Sequence, residues 1–267
     1  IVIVAASGNN GNPNEIIYPA VSTYVISVGA TYDGNVGSQT WTFIPCTDPV
    51  TYADLVICFS NRAGFLDMMA PGATIVTLGL SGGLAGASGT SMSAPHVAGT
   101  IALMSQRNPN LTPAQIENIL KSTGNTIYDN ATGLNFPRVN ALNSVNAVPY
   151  LSQTGTLGPG NTITLHVNDS QNPGATYFVL LSLGNSPGIA LPDGRVIPLN
   201  IDDLLLFSLQ PNPIIVNNIG VLDSNGQATA TIYLPNFPGI ENVDIYSAFA
   251  TVDNFGQIAS VSNSNKL

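Results

Sequence analysis

One segment of this sequence places a hydroxyl group where a helix is expected to begin. Residues 89–99 read GTSMSAPHVAG, and a Gly-Thr-Ser turn that enters a helix exposes the hydroxyl of Ser91 at the helix N-terminus. The positive end of the helix dipole and the free backbone N–H groups then surround Oγ, which suits an alkoxide nucleophile and a developing oxyanion. The tripeptide alone is more often an ordinary N-cap, so the functional interpretation depends on the wider sequence.

The wider sequence closely resembles the subtilisin-like serine proteases. The string at residues 89–99 is similar to the nucleophile motif of that family. Residues 5–11, AASGNNG, resemble the strand that leads to the oxyanion-hole asparagine, which falls on Asn9. Further segments match in order and spacing, namely residues 18–20 and 25–30 around the substrate pocket and residues 59–61 and 67–72 before the nucleophile. The resemblance covers residues 1 to about 147.

The resemblance implies hydrolysis of peptide bonds through an acyl-enzyme, a reaction that requires no cofactor. Ser91 would attack the scissile carbonyl carbon. The Asn9 side chain and the backbone N–H of Ser91 would donate hydrogen bonds to the oxyanion. A polypeptide substrate would lie against Ala6, Ser7 and Gly8. Structural calcium is compatible with the sequence, which does not show where it would bind.

The resemblance also gives an expectation for substrate specificity. Ile17 precedes the Tyr-Pro pair, a position at the bottom of the pocket for the side chain on the acyl side of the cut. Many members of the family have Gly there, whereas Ile17 would fill space that a large aromatic side chain needs. We therefore expect Ala, Val or Leu to be preferred over Phe and Tyr at this substrate position.

The sequence departs from the family at the general base. In the family, the catalytic Asp and His both precede the oxyanion-hole asparagine. The sequence has two histidines. His96 lies on the nucleophile helix and is expected to be a buried, hydrogen-bonded structural residue, and His166 lies on a predicted strand of the second half. Because an unactivated serine is a poor nucleophile at neutral pH, this chain alone is expected to be nearly inert.

The missing groups predict a partner polypeptide. The early aspartates occupy no position of the catalytic Asp; they are Asp33, Asp48, Asp54 and Asp67. Residues 1–6, IVIVAA, read as a buried parallel strand, so we expect that a precursor was cut before Ile1 and that its upstream fragment carries the catalytic Asp and His. Two alternatives stay open. The chain could be an inactive subtilase scaffold that serves as a binding platform, or a protease whose second domain is the main binding module.

The pattern of the chain changes near residue 148. Up to that point strands alternate with helices, which predicts part of an α/β domain with a parallel sheet. The main predictions are strands at residues 1–6, 24–28 and 74–77 and helices at residues 93–108 and 113–122, the latter with Thr112 as N-cap and Pro113 at the first position. Residues 149–267 show alternating strands separated by turn sequences and no useful helical period, which predicts a small all-β accessory domain of sandwich type. The clearest of these strands are residues 162–167, 177–183, 228–234 and 244–252.

Composition and charge favour a cellular location for the protein and exclude some classes of binding partner. Six Lys plus Arg oppose fifteen Asp plus Glu, for a net charge of -9, which argues against nucleic acid and anionic membranes as partners. No stretch reaches the roughly 18 apolar residues of a transmembrane helix. Cys46 and Cys58 are expected to form a disulfide, with two free buried thiols as the alternative. Together with the acidic balance and the low lysine content, the disulfide predicts a secreted, extracellular protein.

Overall fold

The chain divides into two compact units in the computed structural model, which describes residues 1–80 and 82–267. The first unit comprises residues 1–103 and 113–146, and the second comprises residues 104–112 and 147–267. The units meet at three points along the chain, after residues 103, 112 and 146. The second unit also takes residues 104–112, which include the last turn of the nucleophile helix.

The first unit is built on a five-stranded sheet. The strands of the whole unit are β1 (Ile3–Ala6), β2 (Val25–Thr31), β3 (Gln39–Trp41), β4 (Cys46–Asp48), β5 (Met68–Pro71), β6 (Ile75–Leu78), β7 (Leu84–Ala87), β8 (Asn125–Asp129) and β9 (Leu134–Arg138). Its helices are α1 (Thr90–Arg107), α2 (Pro113–Thr123) and α3 (Ala141–Asn146). The main sheet has the order β1-β2-β5-β9-β8, in which only β8 is antiparallel to its neighbour. The α/β fold class expected for this part of the chain is confirmed.

Strand β2 shows how packing overrides a turn residue. The sequence predicts an end at Gly29, but the strand continues to Thr31. A Cβ atom at Gly29 would lie 2.5 Å from Sδ of Met69 on the neighbouring strand. The glycine therefore makes room for a buried methionine inside the sheet and does not end the strand.

The hairpin of β8 and β9 was not predicted. Its single registered pair with the rest of the sheet joins Arg138 to Met69 of β5. Ile127 and Phe136 place their side chains in a core cluster with Met69 and Leu66. The hairpin extends the sheet because these few apolar positions are buried, although the strands themselves are short and rich in polar residues.

A buried ion pair joins this hairpin to the loop that follows β4. Arg62 Nε lies 3.1 Å from Asp129 Oδ2, and the two side chains are 5% and 4% exposed. The guanidinium also donates to the carbonyl oxygens of Ser60 and Ile57. Burial lowers the pKa of Arg62, and the carboxylates of Asp129 and Asp48 oppose that shift. The loop around residues 57–62 is thus held by one desolvated cation.

A disulfide and an aromatic cluster fix a second part of the same loop region. Cys46 and Cys58 are bonded, as expected from the sequence. The Trp41 ring packs edge-on against Phe59 with ring centroids 4.9 Å apart, and Phe43 lies 5.4 Å from Phe59. The β3–β4 hairpin, which carries Cys46, is therefore pinned covalently and by aromatic packing.

The second unit contains two larger sheets. Its strands are β10 (Tyr150–Thr154), β11 (Thr162–Asn168), β12 (Thr176–Ser182), β13 (Ile189–Ala190), β14 (Val196–Ile197), β15 (Ile215–Val216), β16 (Ile219–Val221), β17 (Gln227–Tyr233), β18 (Tyr246–Val252), β19 (Ile258–Val261) and β20 (Asn265–Lys266). One sheet has the order β10-β11-β17-β15 and the other β16-β12-β18-β19. Both contribute to one core cluster, with Leu165 and Ile232 from the first and Val179 and Phe249 from the second.

The expectation that this unit has no helix was wrong. Asp202 is the N-cap of helix α4 (Asp203–Ser208), and its side chain accepts a hydrogen bond from the backbone N–H of Leu205. Fewer than two helical turns are too short to show a helical period, but Leu205 is buried in a core cluster with Leu199 and Leu180. Capping by Asp202 and burial of Leu205 together explain why these residues are helical.

We predict that the buried ion pair is a major determinant of stability. Arg62→Met should lower the free energy of unfolding by about 3–5 kcal/mol, because it leaves the Asp129 carboxylate buried and unpaired. The double variant R62M/D129N should recover part of this loss. Urea denaturation measures the change. Lys266→Met, which breaks the exposed pair with Asp244, is the matched control and should have no measurable effect; equal behaviour of the two variants would contradict the prediction.

Candidate active site

The N-terminus of α1 is anchored to the end of β5. Ser93 Oγ donates a hydrogen bond to the carbonyl oxygen of Ala70, 3.0 Å away. Gly89 N–H donates to the carbonyl of Gly72, and a Cβ at Gly72 would lie 2.4 Å from Ser93 Oγ. The helix start is therefore packed so closely against the strand end that only glycine fits there. Ser91, on the opposite side of this turn from Ser93, is exposed.

The helix begins at Thr90, three residues earlier than the sequence pattern predicted. Gly89 allows this start, because its φ of +149° is one that residues with side chains rarely adopt. In an α-helix the first four backbone N–H groups have no partner within the helix. The N–H of Ser91 is one of them, and the macrodipole adds positive potential at the same place.

The side chain of Asn9 is held against this helix start. Its Oδ1 accepts hydrogen bonds from the backbone N–H of Thr90 at 2.8 Å and from Thr90 Oγ1 at 2.9 Å. Because the oxygen has two donors, the Nδ2 group of the amide is the part that can donate to another molecule. A Cβ at Gly89 would lie 3.3 Å from that Nδ2, so the donor lies beside the turn that leads to Ser91.

Thr90 is a residue that sequence reasoning did not place in the site. Its side chain is fully buried, and its Oγ1 accepts a hydrogen bond from the backbone N–H of Gly8 at 3.2 Å. The hydroxyl thus links the backbone before Asn9 to the side chain of Asn9. Thr90 is part of the Gly-Thr-Ser string, but the sequence gives no indication of which atoms its side chain contacts.

Asn61 is a second residue that was missed as a site residue. Its Oδ1 accepts hydrogen bonds from the backbone N–H groups of Asn10 at 2.8 Å and Asn12 at 3.2 Å. Its backbone N–H donates to the carbonyl of Gly8, and its carbonyl accepts from Ser7 Oγ. Asn61 therefore holds the loop on both sides of Asn9. Arg62, bound to Asp129, fixes the next position of the same segment.

The predicted substrate-binding residues form the continuation of β1. Ser7 and Gly8 are buried and Ala6 is half-buried. Gly8 has a φ of +111°, and a Cβ there would lie 2.5 Å from Asn61 Nδ2 and 3.1 Å from Ile17 Cγ1. The Ile17 N–H donates to the carbonyl of Ser7. The structure thus brings Ile17, which is 46% exposed, directly against the backbone of this segment.

Both histidines make hydrogen-bonding contacts with other groups. His96 Nδ1 lies 2.8 Å from the carbonyl oxygen of Met92 on its own helix. The residue is exposed, so the expected hydrogen bond is present but the expected burial was wrong. The physical reason is that the helix face carrying Pro95, His96 and Gly99 is also exposed in this chain. His166 belongs to the second unit, where its Nε2 lies 3.1 Å from Thr154 Oγ1.

The first-unit aspartates with visible partners have structural roles. Asp48 accepts from the Tyr32 hydroxyl, and Asp54 pairs with Arg138. Asp67 pairs with Lys121 and accepts from Ser27. Within residues 1–80 and 82–267 there is no group of three or more His, Cys, Asp or Glu side chains arranged to hold a metal ion. In the same residues, no helix is long and apolar enough to cross a bilayer.

An exposed serine thus lies at a helix N-terminus, and an asparagine amide is held beside the same turn. The family to which that site belongs is shown by comparison with known proteins. The model of the subtilase family, peptidase S8, matches residues 1–193. The chain is a member of the subtilase family.

Sequence relatives agree with this assignment. The chain is 37% identical over 127 residues to the cell wall-associated protease of Bacillus subtilis (strain 168), covering 48% of this chain and 12% of that protein. It is 35% identical over 127 residues to subtilisin Savinase of Lederbergia lenta, covering 48% and 40%. It is 37% identical over 141 residues to alkaline elastase YaB of Bacillus sp. (strain YaB), covering 53% and 32%. A crystal structure of a cold-adapted subtilisin-like serine proteinase is 31% identical, with a TM-score of 0.41, over 51% of this chain and 43% of that one. The chain thus spans less than half the length of these relatives.

We predict that the Thr90 hydroxyl stabilises the fold as well as the site. Thr90→Val keeps the shape of the side chain but leaves the buried N–H of Gly8 without its acceptor, which should cost about 1–3 kcal/mol in the free energy of unfolding. Chemical denaturation measures the loss. Thr77→Val, at an exposed position of β6, is the control and should stay within about 0.5 kcal/mol of the parent protein. A Thr90→Val protein as stable as this control would show that the hydrogen bonds of Thr90 are dispensable.

Proposed function

We propose that this chain is the nucleophile-bearing part of a serine endopeptidase that cleaves polypeptides through an acyl-enzyme. Ser91 attacks the scissile carbonyl carbon. Its own N–H and the Asn9 Nδ2 group donate to the oxyanion that forms. The observation that carries this proposal is the pair of hydrogen bonds from Thr90 to Asn9 Oδ1, because they turn the Asn9 donor toward the nucleophile's side of the turn. An inactive binding platform would need neither an exposed serine at this turn nor an oriented amide.

We further propose that the catalytic Asp and His come from an upstream fragment of the same precursor. Two features support a polypeptide partner at this site. Strand β1 lies at the end of the main sheet, with β2 as its described neighbour, and unpaired strand edges readily add another strand. Ile1 and Ile3 are more than half exposed, and the helix face beside Ser91 is exposed as well.

We propose that the enzyme acts outside the cytoplasm and that residues 149–267 form an accessory β-sandwich. The Cys46–Cys58 disulfide supports an oxidising compartment, and the name of the cell wall-associated relative agrees with it. The core cluster shared by two sheets supports the sandwich. Recovery of the reduced protein from a cytosolic fraction would contradict the proposed location.

Covalent labelling tests the assignment of the nucleophile. A fluorophosphonate should label Ser91 and no other serine when the full-length protein is treated under native conditions, because this hydroxyl combines exposure with the proposed oxyanion donors. Peptide mapping by mass spectrometry locates the adduct. Ser91→Ala should abolish labelling and peptide hydrolysis, while Ser105→Ala on the same helix should preserve both. Residues 1–267 produced without an upstream fragment should react at a rate close to zero; rapid hydrolysis by that chain alone would place the base within it.

Ile17 should set the preference for the residue on the acyl side of the cut. Its Cγ1 lies against Gly8, and overpacking typically costs about 1–3 kcal/mol, or roughly 5- to 150-fold in kcat/KM. We expect Ala, Val and Leu substrates to be cleaved faster than Phe and Tyr substrates, and Ile17→Gly to reverse that order. Val21→Gly, at a nearby exposed position, is the control and should not change the order. A parent enzyme that prefers Phe or Tyr would show that Ile17 does not close the pocket.

A further inference from the structure

A cavity of about 480 Å³ lies on the outward face of the β10-β11-β17-β15 sheet, entirely within the second unit. Its volume is within the range of pockets that bind small ligands. Two cross-strand rows of polar side chains form its floor. Tyr150, Asn168 and Gln227 are in register in one row, and Ser152, His166 and Thr229 are in register in the other. The opposite face of the same strands carries the apolar residues of the core.

One wall of the cavity is Arg107, from the last turn of α1. Its guanidinium carbon lies 4.6 Å above the centroid of the Tyr150 ring, which holds the planar group over one end of the floor. Its Nε atom is buried and has no hydrogen-bond partner among the described residues. Because this atom is enclosed, a ligand can reach only the rest of the guanidinium group, where Arg107 lines the cavity.

The other basic side chains show how unusual this arginine is. The sequence has six Lys plus Arg. Within residues 1–80 and 82–267, the other five pair with carboxylates; they are Arg62, Lys121, Arg138, Arg195 and Lys266. In a protein with a net charge of -9, acidic partners are abundant, yet Arg107 contacts an aromatic face instead. Its cationic fork is therefore left to bind an anion in the cavity, and that fork matches a carboxylate.

The side chains of the floor and of the far wall determine which other functional groups the ligand can have. Amide, imidazole and hydroxyl groups both donate and accept hydrogen bonds, so they suit a ligand with several hydroxyl groups. Asp223 also lines the cavity, and its Oδ1 accepts from the N–H groups of Asn225 and Gln227. A carboxylate in the wall accepts from hydroxyl groups but repels multiply charged anions such as polyphosphates. One positive group, one negative group and a polar floor favour a ligand with one carboxylate and many hydroxyls.

We propose that this cavity binds an acidic sugar, a residue of the hexuronic acid class, with Arg107 on its carboxylate and the two polar rows on its hydroxyl groups. Gln227 and Thr229, which are exposed on the floor, contact the hydroxyl groups. The site would attach the chain to acidic polysaccharide. It does not depend on the proposed peptidase activity, because all its residues belong to the second unit and none is a residue of the candidate active site.

Binding of a matched pair of sugars tests the proposal. Methyl glucuronide has a carboxylate where methyl glucoside has a hydroxymethyl group, and the two sugars are otherwise identical. Their affinities for the full-length protein are measured by titration with NMR detection. We expect the glucuronide to bind about 10- to 100-fold more tightly, as befits a hydrogen bond to a charged group. Arg107→Gln should abolish this difference. Gln227→Ala should weaken both sugars to a similar extent, and Lys266→Gln, elsewhere in the second unit, should change neither.

Several outcomes would overturn the proposal. Equal affinities for the two sugars, no binding of either, or an unchanged preference in Arg107→Gln would each remove the role of Arg107. Binding of a peptide through its C-terminal carboxylate, dependent on Arg107 and without binding of the glucuronide, would show that the ligand is not a sugar. If Arg107→Gln does not fold, Arg107→Lys keeps the charge without the planar fork and should still reduce the preference for the glucuronide. An unchanged preference in that variant contradicts the proposal equally.

Discussion

The contact between Asn9 and Thr90 is the interaction on which the site depends. It joins the end of β1 to the start of α1, two points that are 81 residues apart in the chain. A single carbonyl oxygen receives both donors of Thr90, so the amide has one orientation and its Nδ2 group is presented beside the helix start. Preorganised donors of this kind stabilise a developing charge because they need no rearrangement when it forms.

The surrounding structure keeps this contact in place. Asn61 fixes the loop after Asn9 through two backbone N–H groups, and Arg62 fixes Asn61 through its bonds to the neighbouring carbonyls. Asp129 compensates the charge of Arg62. The hairpin of β8 and β9 therefore supports the position of the Asn9 side chain through a chain of three polar residues.

The proximity of several candidate site residues could be predicted from the sequence, because they fall in motif strings. Ser91, Asn9 and Ile17 were proposed from these strings, and the structure brings Asn9 next to the turn of Ser91 and Ile17 against Gly8. Thr90 and Asn61 were not identified as site residues, since their roles come from contacts between segments far apart in sequence. The exposure of His96 could not be predicted either, because burial depends on what covers a helix face and not on the residues of that face.

The elements of the fold likewise differ in whether the sequence predicts them. Helix α2 matched its predicted start because Pro113 and the capping position before it are local signals. The β8–β9 hairpin, by contrast, is short and polar and lies in the sheet only because Ile127 and Phe136 reach a core formed by distant residues. Gly29 was misread for a related reason, since its small size serves Met69 and not a turn. A local signal thus located the start of α2, whereas long-range packing decides which weak elements exist.

The end of α1 has a consequence for how the chain folds during synthesis. Asn108 is fully buried, and its Nδ2 donates to the carbonyl oxygens of Pro149 and of Val261, the latter 153 residues further along the chain. At the usual speed of translation, a ribosome adds that many residues in roughly 8–30 s. During that time the buried amide of Asn108, which directly follows α1, lacks one of its two acceptors. The residue at the end of α1 therefore reaches its final hydrogen bonding only after β19 has been synthesised.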